Sequence, residues 1–397
     1  MTEKDYVIEA REGVAGIEAS EWDALLATQA QPTPFMRHAY LAALERSGSV
    51  GDDTGWQPLA LTIRERARGK GAHGALVAAA PAYLKSHSYG EYVFDWAWAD
   101  AYRRYGLEYY PKLVVAVPFT PVPGSRLLAR DAAARALLLR GLGALARQVE
   151  VSSVHLLFGD EADHEAARDA GWMMRQGVQF HWHNRAPAPY ADFADFLASL
   201  QREKRKKIAQ ERRYVREAGV TFEALEGARI EPHDWDFFHH CYRNTYAQHM
   251  STPYLTREFF AAMQETMPEH WVMFVASRGG RRIACSLIAI DRAPGAAFGR
   301  YWGALESVSC LHFEACYYQP LEWCVAQRFA RFEGGAQGEH KMARGLMPWR
   351  TQSAHWIAEP RFAQAIAEHL QHESGAIETY LDELDDRSPF VRESPGP

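Results

Sequence analysis

Between Phe332 and Leu346 the chain packs four glycines, two acids, a histidine, a lysine and an arginine into fifteen positions. Glycine lets backbone N–H groups approach a ligand closely, and ionisable neighbours hold charge or move protons. Within this stretch Glu339-His340-Lys341 has the residue types for moving a proton and steadying negative charge: a base takes a proton, and a cationic donor steadies an oxyanion or holds a phosphate. His340 and Glu339 suit the base, Lys341 the oxyanion or a phosphate, and Gln337 and Glu339 a polar substrate. If the preceding strand continues, alternation sends Glu339 and Lys341 to one face and His340 to the other.

Three further constellations carry chemistry. Arg300-Tyr-Trp302 precedes the helical run from Leu311, in which Glu314 and Tyr318 stand four apart and share a face. That pairing offers a second base, Glu314, and a substrate-facing hydroxyl, with Arg300 and Trp302 beside them; buried packing is the alternative. In the first half, Asp95-Trp-Ala-Trp-Ala-Asp100-Ala-Tyr102 sets acids among aromatics, and Lys112 adds a cation. Clefts that grip polar substrates have this mixture, and so do solvated loops anchored by aromatics. Gln201 to Glu217 holds eight cations and three acids, with Arg205 and Arg212 on one flank of a Leu197/Ile208/Val215 stripe. A solvated helix face and a phosphate-rich partner both fit. Arg126 ends Pro118-Phe-Thr-Pro-Val-Pro-Gly-Ser-Arg as a further phosphate candidate, although Pro118, Pro121 and Pro123 lack N–H donors.

These residues need elements to hold them. Strands are expected at 6–10, 56–65, 75–85, 112–117, 154–158, either side of Arg278-Gly-Gly-Arg281 and at 296–302, with a solvated glycine-rich turn at 66–74. Helices are expected at 20–26, 37–46, 131–149 with Asp131 as cap, 161–171, 192–216 in one or two pieces, 235–248, 256–266, 311–328 and 360–384, with a frayed end over 388–397. The element order repeats about two hundred residues apart, which predicts two domains, 1–186 and 187–397, joined near Pro187-Ala-Pro189.

The order of the last third, a small or aromatic strand, a helix, a Gly-rich strand end and then a lysine, resembles FemAB-like acyltransferases of the GNAT superfamily. Arg205-Lys-Lys-Ile208 with Arg212-Arg213 and Gly219-Val220 resembles the basic helix opening their second domain, and Arg278-Gly-Gly-Arg-Arg-Ile-Ala284 the hairpin that follows. Lys85-Ser-His-Ser-Tyr-Gly-Glu-Tyr-Val-Phe-Asp95 and Tyr109-Tyr-Pro-Lys112 resemble a peptidoglycan-related N-acyltransferase subgroup. The resemblance implies an α/β fold of two tandem GNAT-like domains and favours Lys341 as ligand-facing. It implies transfer of an acyl or aminoacyl group from acyl-CoA or aminoacyl-tRNA to a small-molecule or peptide amine. Segment 118–126 departs from the family's pyrophosphate loop, which shifts weight towards a carrier-bound donor.

Bulk properties bound the alternatives. A net charge of −6 disfavours a general nucleic-acid binder. No apolar run is long enough for a membrane span and no signal pattern opens the chain. Five cysteines without C-x-x-C spacing read as reduced thiols, so the cytoplasm is the expected compartment. His312 and Glu314 alone make a poor zinc site, and no metal is expected. Walker, G-x-G-x-x-G, G-x-S-x-G and H-E-x-x-H patterns are missing. Two other functions stay open: a non-catalytic duplicated fold that binds a peptide or cell-wall precursor, and a tRNA-binding protein. Oligomeric state is not legible.

Overall fold

The computed structural model describes residues 6–66, 74–336 and 338–391. Its strands are β1 Tyr6–Arg11, β2 Trp56–Glu65, β3 Leu76–Lys85, β4 Lys112–Val115, β5 Leu128–Ala129, β6 Ser153–Leu157, β7 Met173–His183, β8 Val220–Glu226, β9 Trp271–Arg278, β10 Arg281–Asp291, β11 Ala296–Ala304, β12 Arg331–Ala336 and β13 Met347–Ile357. Most of the expected turn at 66–74 and of the expected frayed end lies outside the described residues.

The chain forms two compact units, Met1–Gly177 with Arg350–Glu378, and Val178–Trp349 with Thr379–Pro397. The division expected at 186/187 is therefore corrected. Residues 350–378 join the first unit because β13 pairs antiparallel with β6, from Ser353↔Leu157 to Ile357↔Ser153. The second unit begins before the proline linker because the end of β7 pairs with β12, His183↔Arg331 and Trp182↔Phe332.

In unit 1 the strands run β1-β2-β3-β4-β6-β13. β3, Leu-Val-Ala-Ala-Ala-Pro-Ala-Tyr-Leu-Lys, is almost wholly buried, as in a strand covered on both faces. β4 and β6 are parallel, so the connection must cross over. It does so through the helix Ala132–Gln148, whose cap Asp131 accepts from the Ala134 amide at 2.8 Å. That helix buries Leu138 and Leu142 in one core with Leu61, Ile63, Leu113 and Leu156. Residues 96–104 form a helix rather than an aromatic-anchored loop.

Unit 2 repeats the pattern, in the order β7-β12-β11-β10-β9-β8. Gly279 and Gly280 turn the β9–β10 hairpin with φ of 56° and 76°, the left-handed values a tight hairpin needs. β11 and β12 are parallel, joined by the helical run Leu311 to Ala326. Leu321 and Tyr317 of that run pack with Phe180, Trp182, Ile288 and Phe332.

Candidate active site

In unit 2 the parallel pairing of β11 with β12 lasts only from Ala296↔Arg331 to Phe298↔Glu333. Beyond it each strand runs on without the other, to Ala304 and Ala336. A cavity of about 150 Å³ there is lined by Gly299 to Trp302 of β11, Phe332 and Gly334 of β12, and His312, Cys316 and Tyr317 of the helical run. On the other side of β11 the register shifts: Leu287 faces Tyr301 and Ile288 faces Gly299. Arg300 is thus the extra residue of a β-bulge, a device that re-aims a side chain. It and Trp302 line the cavity.

Glycine is needed at the end of β12. A Cβ on Gly334 would lie 2.4 Å from the Leu346 side chain and 2.9 Å from the Phe180 carbonyl, and Gly335 has φ of 74°. The Lys341 ammonium, buried, donates to the Gly334 and Gly335 carbonyls at 2.7 and 3.3 Å. Desolvation brings its pKa down to about 8. The strand does not continue through Glu339-His340-Lys341. β12 stops at Ala336, and Gly338, at φ 99°, leads into a 3-10 turn over Glu339–Arg344, so strand alternation does not apply. His340 Nε2 lies 3.4 Å from the Tyr317 hydroxyl at the cavity wall. Glu339 instead accepts from Tyr380 (2.9 Å) and Arg387 (3.1 Å), tying the loop to the chain's last helix. Gln337 lies outside the described residues.

The helical run is interrupted by a π-turn, Glu314–Tyr318. Pro320 has no N–H for the carbonyl five residues before it, and Ser286 Oγ donates to that Ala315 carbonyl at 2.5 Å. His312, Cys316 and Tyr317 face the cavity. Glu314 and Tyr318 do share a face, but that face meets the basic helix Arg202–Glu217. Glu314 accepts from Arg212 Nε at 3.1 Å and from Gln319 at 2.7 Å, while Arg212 also pairs with Glu322 at 2.6 Å. Tyr318, 1 % exposed, donates its hydroxyl to Glu211. The carboxylate read as a base and the guanidinium read as a phosphate contact hold each other, and Tyr318 is packing. Arg205 caps the preceding short helix, donating to the Ala198 and Leu200 carbonyls at 3.2 and 2.5 Å. Both arginines are on the expected helix, and both are engaged within the protein.

Sequence reasoning treated His312 only as a poor metal ligand. Its ring reaches the cavity, 5.4 Å from Trp302. Desolvation by the wall, then the nearby His340, Arg344 and Lys341, hold its pKa at about 4, so it is a neutral base at physiological pH. The same causes except His340 itself, with Lys207 added, lower His340. Pro320 inside a helical pattern was the available signal that the wheel would slip here.

The residues expected to grip an acceptor from the first half belong to unit 1. Lys112, fully buried, donates to Glu91 and Ser88 at 2.8 Å and to Asp95, which also accepts from Tyr109 at 2.6 Å. Asp95 and Lys112 are interior supports: burial alone would raise Asp95, but the Lys112 ammonium outweighs it and holds the carboxyl well below its ordinary range. Tyr102 is 3 % exposed and packs on Tyr109 and Phe362. Asp100 is at the surface, paired with Arg103 and Arg104. Arg126 is corrected as well: 1 % exposed, its guanidinium donates to the Val122 and Gly124 carbonyls. Segment 118–126 therefore does not fit a pyrophosphate.

Among the described residues no helix is long and apolar enough to cross a membrane. The family model for FemAB-like proteins, described as peptidoglycan biosynthesis/recognition, matches residues 13–392. No curated protein matches the sequence. Among solved structures, the C-terminal domain of a putative lysylphosphatidylglycerol synthetase from Agrobacterium fabrum is 10% identical, with 88% of this chain and 94% of that chain covered and a TM-score of 0.51. L-PGS from Bacillus licheniformis is 12% identical, with 88% and 96% covered and a TM-score of 0.50. A tandem GNAT protein from the clavulanic acid biosynthesis pathway is 12% identical, with 89% and 99% covered and a TM-score of 0.47. At such identities a likeness speaks to fold alone, and this chain's fold is α/β, in two units that repeat one strand order. With the family model spanning nearly the whole chain, this protein belongs to the FemAB-like family of peptidoglycan biosynthesis/recognition proteins.

Proposed function

We propose that the chain is an N-acyltransferase that moves an acyl or aminoacyl group from an activated ester or thioester to an amine. The observation that carries this reading is the parting of β11 and β12 beside Lys341. It leaves a cavity with strand backbone on two sides, a neutral imidazole at His312 and the Arg300 guanidinium in its wall, and the Lys341 ammonium behind the wall residue Gly334, whose carbonyl it holds. The amine attacks the donor carbonyl directly, with no covalent enzyme intermediate. His312 takes the amine's proton, and as the tetrahedral intermediate collapses the C–O or C–S bond to the carrier breaks and the imidazolium returns a proton to the departing hydroxyl or thiol. Arg300 and the Lys341 ammonium bring positive charge to the developing oxyanion. Glu314 is left out because Arg212 and Gln319 occupy its carboxylate.

The donor is an acyl-CoA or an aminoacyl-tRNA, and the acceptor a peptide or small-molecule amine. Arg126 being spent on backbone carbonyls favours the tRNA carrier, as does the exposed part of the basic helix. The test is to incubate the purified chain with labelled acetyl-CoA and a labelled aminoacyl-tRNA pool against an amine panel. Product that falls at least about a hundredfold in His312→Ala supports the reading. No product from either donor would instead favour the non-catalytic module, to which the sequestered Glu314 also points. tRNA binding without transfer, falling steeply with salt, would favour the RNA-binding alternative.

A further inference from the structure

The wall of the unit 2 cavity carries one guanidinium, Arg300, and no carboxylate among the described residues. The acids of the surrounding elements are turned away or held. Glu333 lies between the wall residues Phe332 and Gly334, so strand alternation sends it to the opposite face, where it accepts from Arg331 Nε at 3.0 Å. Glu314 is held by Arg212 at 3.1 Å, and Glu211 by Arg344 at 2.8 Å. The wall histidine reports the balance. After desolvation, His340, Arg344 and Lys341 are what hold His312 low, so a group entering here meets a positive field.

Arg300 is placed to use that field. As the extra residue of the bulge between Leu287↔Tyr301 and Ile288↔Gly299, it enters the wall. Its Nη2 donates to the Tyr301 hydroxyl at 3.1 Å, and its guanidinium lies 5.0 Å from that ring, which fixes the side chain. A guanidinium has five N–H donors, enough to serve an oxyanion on one edge and a carboxylate on another. Leu287, Ile288 and Phe332 give the same wall apolar surface, and about 150 Å³ leaves room for a short carbon stem. An uncharged acyl group leaves the field unused. An aminoacyl group whose only charge is its α-ammonium is opposed by it.

We infer that the transferred acyl group bears a carboxylate of its own, as a dicarboxylic acyl group on coenzyme A or an acidic aminoacyl group on tRNA, and that Arg300 selects it through a charge-assisted pair. The inference rests on the transfer reading. The carboxylate stays outside the bond changes: the amine's C–N bond forms at the activated carbonyl, and the bond from that carbonyl to the carrier breaks.

The test compares near-isosteric donors on the full chain: succinyl-CoA against butyryl-CoA, and one tRNA charged with aspartate or with asparagine. In at least one pair the acid is favoured at least about tenfold in kcat/KM. Arg300→Met brings that ratio to within about twofold, and Arg300→Lys lowers it, since lysine pairs only as a point charge. Circular dichroism verifies folding, and Arg300→Lys decides should Arg300→Met not be folded. Equal use of acid and neutral donors in both pairs, or a preference that survives Arg300→Met, overturns the inference. If neither pair gives product, the transfer reading fails and binding decides the rest. Monomethyl succinate is then titrated calorimetrically beside methyl butyrate. Binding of the acid alone, weakened at least about tenfold by Arg300→Met, upholds the carboxylate subsite. No difference between the two esters, or none between wild type and Arg300→Met, overturns it.

Discussion

Arg344 and Glu211 form a bidentate pair in the interior of unit 2, Nη2 lying 2.9 and 2.8 Å from the two carboxylate oxygens. Arg344 belongs to the glycine-rich loop, and Glu211 is a buried acid in the middle of a cationic helix. The guanidinium also donates to the His340 carbonyl at 2.6 Å and lies 3.6 Å over the Phe313 ring. The pair therefore fastens the loop that carries His340 and Lys341. Removing one partner leaves the other charged and buried. Arg344→Leu is expected to cost about 3 kcal/mol or more in urea unfolding, and Glu211→Gln a comparable amount. The double variant Arg344→Leu/Glu211→Leu should be less destabilised than the sum of the two single leucine variants.

Glu314 supplies a contrasting expectation. Its ion pair with Arg212 makes it a support for the helical run, so Glu314→Gln should lower stability by about 1–3 kcal/mol while changing transferase kcat by less than about tenfold. A hundredfold loss of kcat with unchanged stability would restore it as the base.

The pH dependence of transfer follows from two groups. His312 must be neutral to accept a proton, so kcat at saturating acceptor rises as pH climbs through about 4. Lys341 must be charged, so kcat falls as pH rises through about 8. The profile is a bell between these values. His312→Asn should remove the acid limb along with most of the rate, and Lys341→Arg should push the alkaline limb upward. An unchanged profile in both variants would refute the assignment.

Stability should carry the signature of Glu91. Burial raises its carboxyl to about 7 despite the Lys112 pull. Between its ordinary value of 4.5 and 7, the folded chain keeps a proton that the unfolded chain has lost. Glu91 therefore contributes a loss of stability as pH rises through that window. Buried histidines such as His155, held at about 3 by burial first, contribute the opposite slope between 3 and 6.5. The check is a difference: denaturant stability of the wild type minus that of Glu91→Gln, which should fall from pH 4.5 to 7 and then level off.

Most elements were legible because local chemistry marks them: Asp131 caps its helix and Gly279-Gly280 turn their hairpin. β5, β7, β8 and β13 were not. The sequences of β7 and β13, Met-Met-Arg-Gln-Gly-Val-Gln-Phe-His-Trp-His and Met-Pro-Trp-Arg-Thr-Gln-Ser-Ala-His-Trp-Ile, lack clean alternation because several polar positions are satisfied inside. His155 and His355, for example, bond Nδ1 to Nδ1 at 2.6 Å. Arg300 and Trp302, singled out by residue type, line the unit 2 cavity, and Lys341 bonds the carbonyl of its wall residue Gly334. The facing of Glu314 was not legible, since a wheel fixes which residues share a face and not what that face meets. Arg126, Arg205 and Arg212 show the same limit: a sequence displays cations, and only coordinates display the carbonyls and carboxylates already holding them.

The return of β13 to β6 has a consequence for how the protein is made. His155 leaves the ribosome 200 residues before the His355 it must meet, so the N-terminal sheet emerges with one flank unfinished while almost all of the second unit is still being translated. A nascent chain halted before β13 would expose that flank of β6, where chaperones or a sister chain's strand can attach.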